Sequence, residues 1–244
     1  MLIYRLASIM IVTFGVLFVL AEYLAINVYY DFGNSIGDWS QSEFFILFGS
    51  FNCMIYLYSF FFEIGHDDFA YKVKYGELDY DLIRPVDSMF LCSFSRFDFP
   101  SLFNLILPVL FIYRGIEQSQ VAFGFFSAAG FVLAVILGTF VIYLLNHLLT
   151  TLFFWLTDFS NSIQLLNSVI NLGSKPLSIY PWILQVIFGF CIPIILAGNL
   201  PAEVLLGKVT LQKLGILSIG VLILFTFTRI LWLQGLKRYA SASS

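Results

Sequence analysis

An all-α integral membrane protein with six transmembrane helices is the fold this sequence predicts, and three observations predict it. Of 244 residues, 60% are hydrophobic and only 11% charged, with a mean hydropathy of +0.92, whereas a soluble domain carries about a quarter charged residues. The apolar residues fall in stretches long enough to cross a bilayer, which takes about 20 helical residues for a hydrocarbon core of roughly 30 Å. Between them the longest polar interval is a single island at 65–87, GHDDFAYKVKYGELDYDLIRPVD, holding six of the fifteen acids and three of the twelve bases. Residues 1–244 therefore read as one transmembrane domain.

The opening run, MLIYRLASIMIVTFGVLFVLAEYLAINVYY, is longer than the about 7–15 apolar residues of a secretory signal and lacks a small-x-small cleavage site. Residues 5–30 are expected to form a retained first span. Spans two to four follow at 43–64, 89–113 and 121–145, and the last at 211–233. Residues 148–172 are apolar enough to cross yet carry Asp158, Asn161, Asn167 and Asn171, which predicts a fifth span facing protein or a water-filled path. Residues 181–206 have the hydropathy of a further span, but Pro193 splits them and Pro201 closes them. Each half is about a dozen residues, too short to cross, and proline removes a hydrogen bond that lipid cannot replace. The expected arrangement is a re-entrant helix pair before the last span. The competing reading is a single kinked crossing.

Charge supplies an orientation. With an internal N-terminus and six crossings, the cytoplasmic side receives Arg5, Lys72, Lys74, Arg84, Lys237 and Arg238, with Arg96 and Arg229 near enough to snorkel there. The outside keeps Arg114, Lys175, Lys208 and Lys213. Both termini are thus expected in the cytoplasm, on a multi-pass protein of the cell membrane. A net charge of −3 without a basic run removes the footprint that nucleic-acid binding needs. Cys53, Cys92 and Cys191 lack CxxC spacing or a nearby histidine and read as buried small hydrophobes.

Within the island, Asp68 is a plausible N-cap for a short helix through Tyr75, and Gly76 suits the left-handed position that ends it. A second short helix is expected from Glu77 to Ile83, limited by Pro85, which disfavours helical geometry at Arg84. On it Leu78 and Leu82 share one face and Glu77 and Asp81 another. An amphipathic element at the membrane surface, rigidly joined to two spans, is suited to transmit a push from a soluble partner. The alternative is a solvated loop with incidental helicity.

The residues also carry a family resemblance. GELDYDLIRP (76–85) resembles the loop signature of ABC-2 family exporter permeases, the membrane-spanning subunits of ATP-binding cassette transporters. Tyr4-Arg5, IGDWSQSEFFILFGSF (36–51), Phe154-Trp155, PLSIYP (176–181), PAEVLLGK (201–208) and WLQGLKRYASAS from Trp232 follow in the order that family shows. The resemblance implies six spans, re-entrant gate helices before the last, and a homodimer or a second similar permease. It also implies a coupling helix between spans two and three that docks on a separate ATPase subunit; the matching positions are Gly76, Glu77, Leu78, Asp79, Leu82, Arg84 and Pro85. ATP and Mg²⁺ would be bound by that partner, leaving this chain a non-catalytic subunit without a cofactor. Consistent with this, no GxxxxGK[ST] phosphate loop occurs, because Val209 follows Gly207-Lys208.

Ionisable groups in the bilayer cost roughly 2.5–3.5 kcal/mol each at mid-helix, so each calls for a reason. Asp158 either lines the translocation path or bonds to Asn161 and holds its span in register. Arg96 and Asp98 point different ways around a helix and need partners from elsewhere; Asp158 is one candidate for Arg96. Glu22, near the outer end of span one, and Pro193, at the break, complete the candidate path or gate residues. His147 reads as a helix-end histidine, and Trp39, Tyr180, Trp182 and Trp232 as an interfacial belt. Two other function classes compete. A membrane-embedded enzyme would want a nucleophile, base or metal set, and HExxH and GxSxG are absent. An ion-coupled secondary carrier would want paired broken helices, and only one broken segment is visible.

Overall fold

Helix α1 (Leu2–Asp31) turns Val19 and Ile26 to the bundle and leaves most of its other described side chains exposed. The computed structural model describes residues 2–33, 35–119, 121, 124–156, 160–208 and 211–242. Among these, every regular element is helical, apart from an isolated bridge between Ile36 and Trp39. Among the described residues, five helices are long and apolar enough to cross a membrane, or six if one bent pair counts as a crossing.

Helix α2 (Gln41–Tyr58) starts at a capping box: Ser40 Oγ accepts from the Glu43 amide and the Glu43 carboxylate accepts from the Ser40 amide. Such a cap is worth about 1 kcal/mol. The helix continues through a π turn, Ser59–Glu63, into α3 (Ile64–Tyr75), so span two runs far beyond the expected 43–64. A π turn frees a backbone carbonyl. Here the carbonyl of Phe60 accepts from the Asp98 amide at 3.0 Å, which joins span two to the loop before span three.

The expected third span, 89–113, comes as three pieces: α5 (Ser88–Ser93), α6 (Phe99–Asn104) and α7 (Ile106–Ser119). A one-turn helix, α4 (Asp79–Leu82), precedes them in the island. Pro108 explains the break at Leu105, since it has no N–H to donate to the Asn104 carbonyl four residues back. Gly49 of α2 and Gly115 of α7 let the two backbones meet. A methyl at Gly49 would lie 2.6 Å from the Pro108 carbonyl, and one at Gly115 2.7 Å from that of Ser42.

Helix α8 (Phe125–Thr151) extends through a 3₁₀ turn, Leu152–Phe154. Residues 148–154 therefore belong to span four rather than to a fifth span at 148–172, because nothing in HLLTTLFF interrupts the helix. The described remainder, α9 (Ser160–Asn171), has 12 residues, about 18 Å of helix. Two 3₁₀ turns lead to α10 (Trp182–Val186), a π turn at Ile187–Cys191, and α11 (Ile194–Leu205), bent 84° from the preceding helix at Pro193. Pro201 lies inside α11 instead of closing it; its φ is already helical, so only the bond to the Ala197 carbonyl is forgone. Helix α12 (Leu211–Ala242) ends the fold.

Gly198 of α11 crosses directly over Gly173, with no room for a side chain on either. Beside this crossing the buried Asn199 accepts from the Leu177 amide at 2.8 Å and donates to the Lys175 and Ile195 carbonyls at 2.9 and 3.0 Å. The two ends of the bundle differ in their contacts. At one, Lys208 meets Glu43 at 2.6 Å, Lys213 meets Glu203 at 2.5 Å, and Ser178 packs on Gly37. The other is the end that carries the island.

Two further expectations need correction. Cys53 and Cys92 are buried, but Cys191, at the end of the π turn, is exposed. Trp232 is no belt residue: fully buried, it packs on Phe69 and Phe154, and Trp39 is buried as well.

Candidate functional site

The island folds as the end of α3, a left-handed turn and α4. Gly76 takes φ +74, the conformation only glycine adopts at low cost, and the Glu77 amide donates to the Lys72 carbonyl at 2.9 Å. Asp68 caps nothing. Because span two runs unbroken into α3, Asp68 lies inside the helix, and its carboxylate holds Arg96 at 2.6 Å.

Leu78 is fully buried and Leu82 half-buried, the expected inward face. The expected acidic face divides. α4 begins only at Asp79, so Glu77 stays on the turn and exposed, while Asp81 is 6% exposed and grips Lys72 at 2.6 Å. Asp79, Arg84 and Pro85 are exposed. Sequence reasoning passed over the two most prominent side chains of this surface, Tyr80 at 71% and Ile83 at 81% exposure. Their signal was present: they occupy the positions opposite Leu78 and Leu82, where an apolar residue without a bundle partner calls for another one.

The roots of the segment are fastened to the last span. Asp87 caps α5 by accepting from the Phe90 amide at 3.2 Å, and Arg229 of α12 grips its two oxygens at 3.1 and 2.5 Å. Trp232 Nε1–H donates to Ser88 Oγ at 3.2 Å. Partial burial raises the Asp87 pKa, but Arg229 and the Phe90 and Met89 amides outweigh it and hold the carboxyl below its usual range. A depressed carboxyl stabilises the fold above its unfolded pKa, about 3.9. That contribution disappears as pH falls through the folded value. The thermal-stability gap between the native chain and Asp87→Asn is therefore expected to be constant from pH 7 to about pH 5 and to close below about pH 4. A gap that persists unchanged at pH 3 would refute this.

A buried polar chain lies just above the segment. Tyr58 Oη is 2.9 Å from His66 Nδ1, and His66 Nε2 is 3.1 Å from His147 Nδ1. Ser93 donates to the Met89 carbonyl, so Tyr143, 2.8 Å away, donates to Ser93. His147 is not a helix-end residue, since α8 runs a full turn past it. The link between His66 and His147 spans 81 positions, and nothing local in either stretch announces it.

The candidate path residues do not converge. Asp98 accepts from Ser101 Oγ at 2.5 Å before α6, Arg96 pairs with Asp68, Glu22 is half-exposed on α1, and Pro193 sits at the bend near Gly220 of α12. Asp158 lies outside the described residues. Among the described residues, no group of three or more His, Cys, Asp and Glu side chains is placed to hold a metal ion.

Apolar helices spanning a bilayer, interrupted by one exposed polar segment that is anchored to three of them, define a multi-pass membrane protein. Residues 16–243 match the family model described as ABC-2 family transporter protein, and the chain belongs to that family. It is thus a membrane permease component of an ABC transporter, a class that associates with an ABC ATPase. Comparison with curated proteins and with solved structures returned no match.

Proposed function

We propose that this chain forms the substrate translocation path of an ATP-driven exporter and is moved by a separate ATPase subunit docking on residues 76–85. One observation carries the reading. Tyr80, Ile83 and Arg84 stand exposed on a segment whose opposite side is locked by buried Leu78, by the Lys72–Asp81 pair and by Arg229 on Asp87. A flexible loop would absorb a push, whereas this one passes it to spans two, three and six. ATP and Mg²⁺ belong to the partner, and hydrolysis drives the bundle through the segment.

In this reading the island end is cytoplasmic, with both termini on that side, and a second permease, identical or similar, completes the path. The helix pair bent at Pro193 is re-entrant. Support comes from its two ends: Ser178 packs on Gly37 and Lys208 pairs with Glu43, so the segment leaves and returns at the same end of the bundle. Residues 160–177 then make the fifth crossing. Glu22, Arg96, Asp98, Asp158 and Pro193 are retained as path or gate residues.

The test is recovery of the cognate ATPase with the purified permease. The double variant Tyr80→Ala with Ile83→Asp is expected to lower recovery at least tenfold without changing the thermal midpoint of the permease, since both side chains are exposed. Phe32→Asp, 80% exposed at the other end of the bundle, is expected to change recovery by less than twofold. Full recovery with the double variant would eliminate the docking surface.

A further inference from the structure

A cavity of about 350 Å³ opens between α1, α2, α8 and α9, in the size range of small-molecule sites. Its walls are polar for so apolar a chain. Asn52 from α2, Asn146 from α8 and Asn167 and Asn171 from α9 meet there, with Glu63 of the π turn. Polar side chains within the hydrocarbon region face a bundle interior or a water-filled space, and they mark functional paths.

The hydrogen bonding of the amides gives the cavity a polarity. Asn52 and Asn146 each donate an amide hydrogen to the carbonyl four residues back, Phe48 and Ile142, both at 2.9 Å. That bond uses one amide hydrogen and orients the carboxamide, whose oxygen remains an acceptor. Glu63 accepts from the Ser59 side chain and has no ion-pair partner among the described residues, and Asp67 and Asp98 add further acidic groups nearby. No Lys or Arg lines the cavity among the described residues, while Phe18 and Tyr56 supply aromatic wall. A carboxylate on the wall of such a cavity attracts a cation, and so do aromatic faces.

We infer that this cavity binds an amphiphilic organic cation: a protonated amine directed to Glu63 and the carboxamide oxygens of Asn52 and Asn146, with its apolar body against Phe18 and Tyr56. The inference rests on the exporter reading for its physiological meaning, because it names the class of cargo, but binding itself does not require it. A guest amine brings the positive charge that balances Glu63, together with N–H donors for the carboxamide oxygens of Asn52 and Asn146. A neutral guest brings no charge, and an anionic guest meets repulsion.

The experiment uses the full chain in lipid nanodiscs at pH 7.5 with dansylcadaverine, its N-acetyl derivative and dansyl-6-aminohexanoate, read by fluorescence. The amine is expected to bind saturably and at least tenfold tighter than the acetyl and carboxylate probes, the scale of one charge-assisted contact. Glu63→Gln is expected to remove that preference while leaving acetyl-probe binding within twofold. Equal binding of amine and acetyl probes to the native chain, or no saturable amine binding, overturns the inference without any variant being needed. An unchanged preference in Glu63→Gln overturns it equally. Amine binding without ATP-driven accumulation in vesicles carrying the ATPase would refute the exporter reading alone. Accumulation of other cargo with no amine binding would refute this inference alone.

Discussion

Gly198→Ala is expected to destabilise the protein by about 3 kcal/mol or more, beyond the usual range for one added methyl, because the new carbon would be driven into backbone. It would meet the carbonyl, carbon and Cα of Gly173, none of which can rotate aside. α11 would have to lift from the 172–174 turn, and the three hydrogen bonds of Asn199 would go with it. Gly215→Ala is the control. That glycine also lies in a helix, α12, but has nothing within 4 Å of its added carbon, so alanine there is expected to be neutral or to stabilise by about 0.5–1 kcal/mol. Thermal midpoints of the two purified variants decide the matter, and equal shifts would show that the crossing is not close-packed.

His66→Leu should cost more than His147→Leu, although both residues are buried and similar in size. His66 is the middle of the chain. Removing it strands Tyr58 Oη on one side and His147 Nδ1 on the other, and each stranded buried group costs about 1–3 kcal/mol. His147→Leu strands only His66 Nε2, and it also removes His147 Nε2, which has no partner among the described residues. The expected penalties are about 3 and about 1 kcal/mol. Thermal unfolding in one lipid or detergent checks the order, and a reversed order would mean that the chain of hydrogen bonds does not hold spans two and four together.

Much of the polar island was legible because its determinants are local. Gly76 in a left-handed turn, Leu78 facing the bundle and a short helix stopped before Pro85 each follow from residues within a few positions. The same local reasoning misplaced Asp68 and Asp81. Their partners, Arg96 and Lys72, lie on other elements, and an acid in a polar stretch looks solvated until something arrives to pair with it. Span boundaries shifted for a related reason. Hydropathy measures how long a segment is apolar, not where its helix stops, so α2 ran on into α3 and α8 absorbed residues 148–154.

The cavity shows the same division at a larger scale. Asn167 and Asn171 stood out as polar residues in an apolar segment, and a watery or proteinaceous neighbour was expected for them. Asn52, Glu63 and Asn146 passed unremarked, since one amide or one carboxylate in a long helix carries no address.

By itself the chain's order of residues determined that this is a helical membrane protein, that a polar island falls between its apolar stretches, and to which family it belongs. These follow from transfer free energy and backbone hydrogen bonding, which act residue by residue along the chain. Only the tertiary structure decided that His66 meets His147, that Gly198 lies on Gly173, and that four asparagines and a glutamate line one cavity. Those contacts depend on helix rotation and crossing, set by packing between segments tens of residues apart, and no short stretch of sequence contains that information.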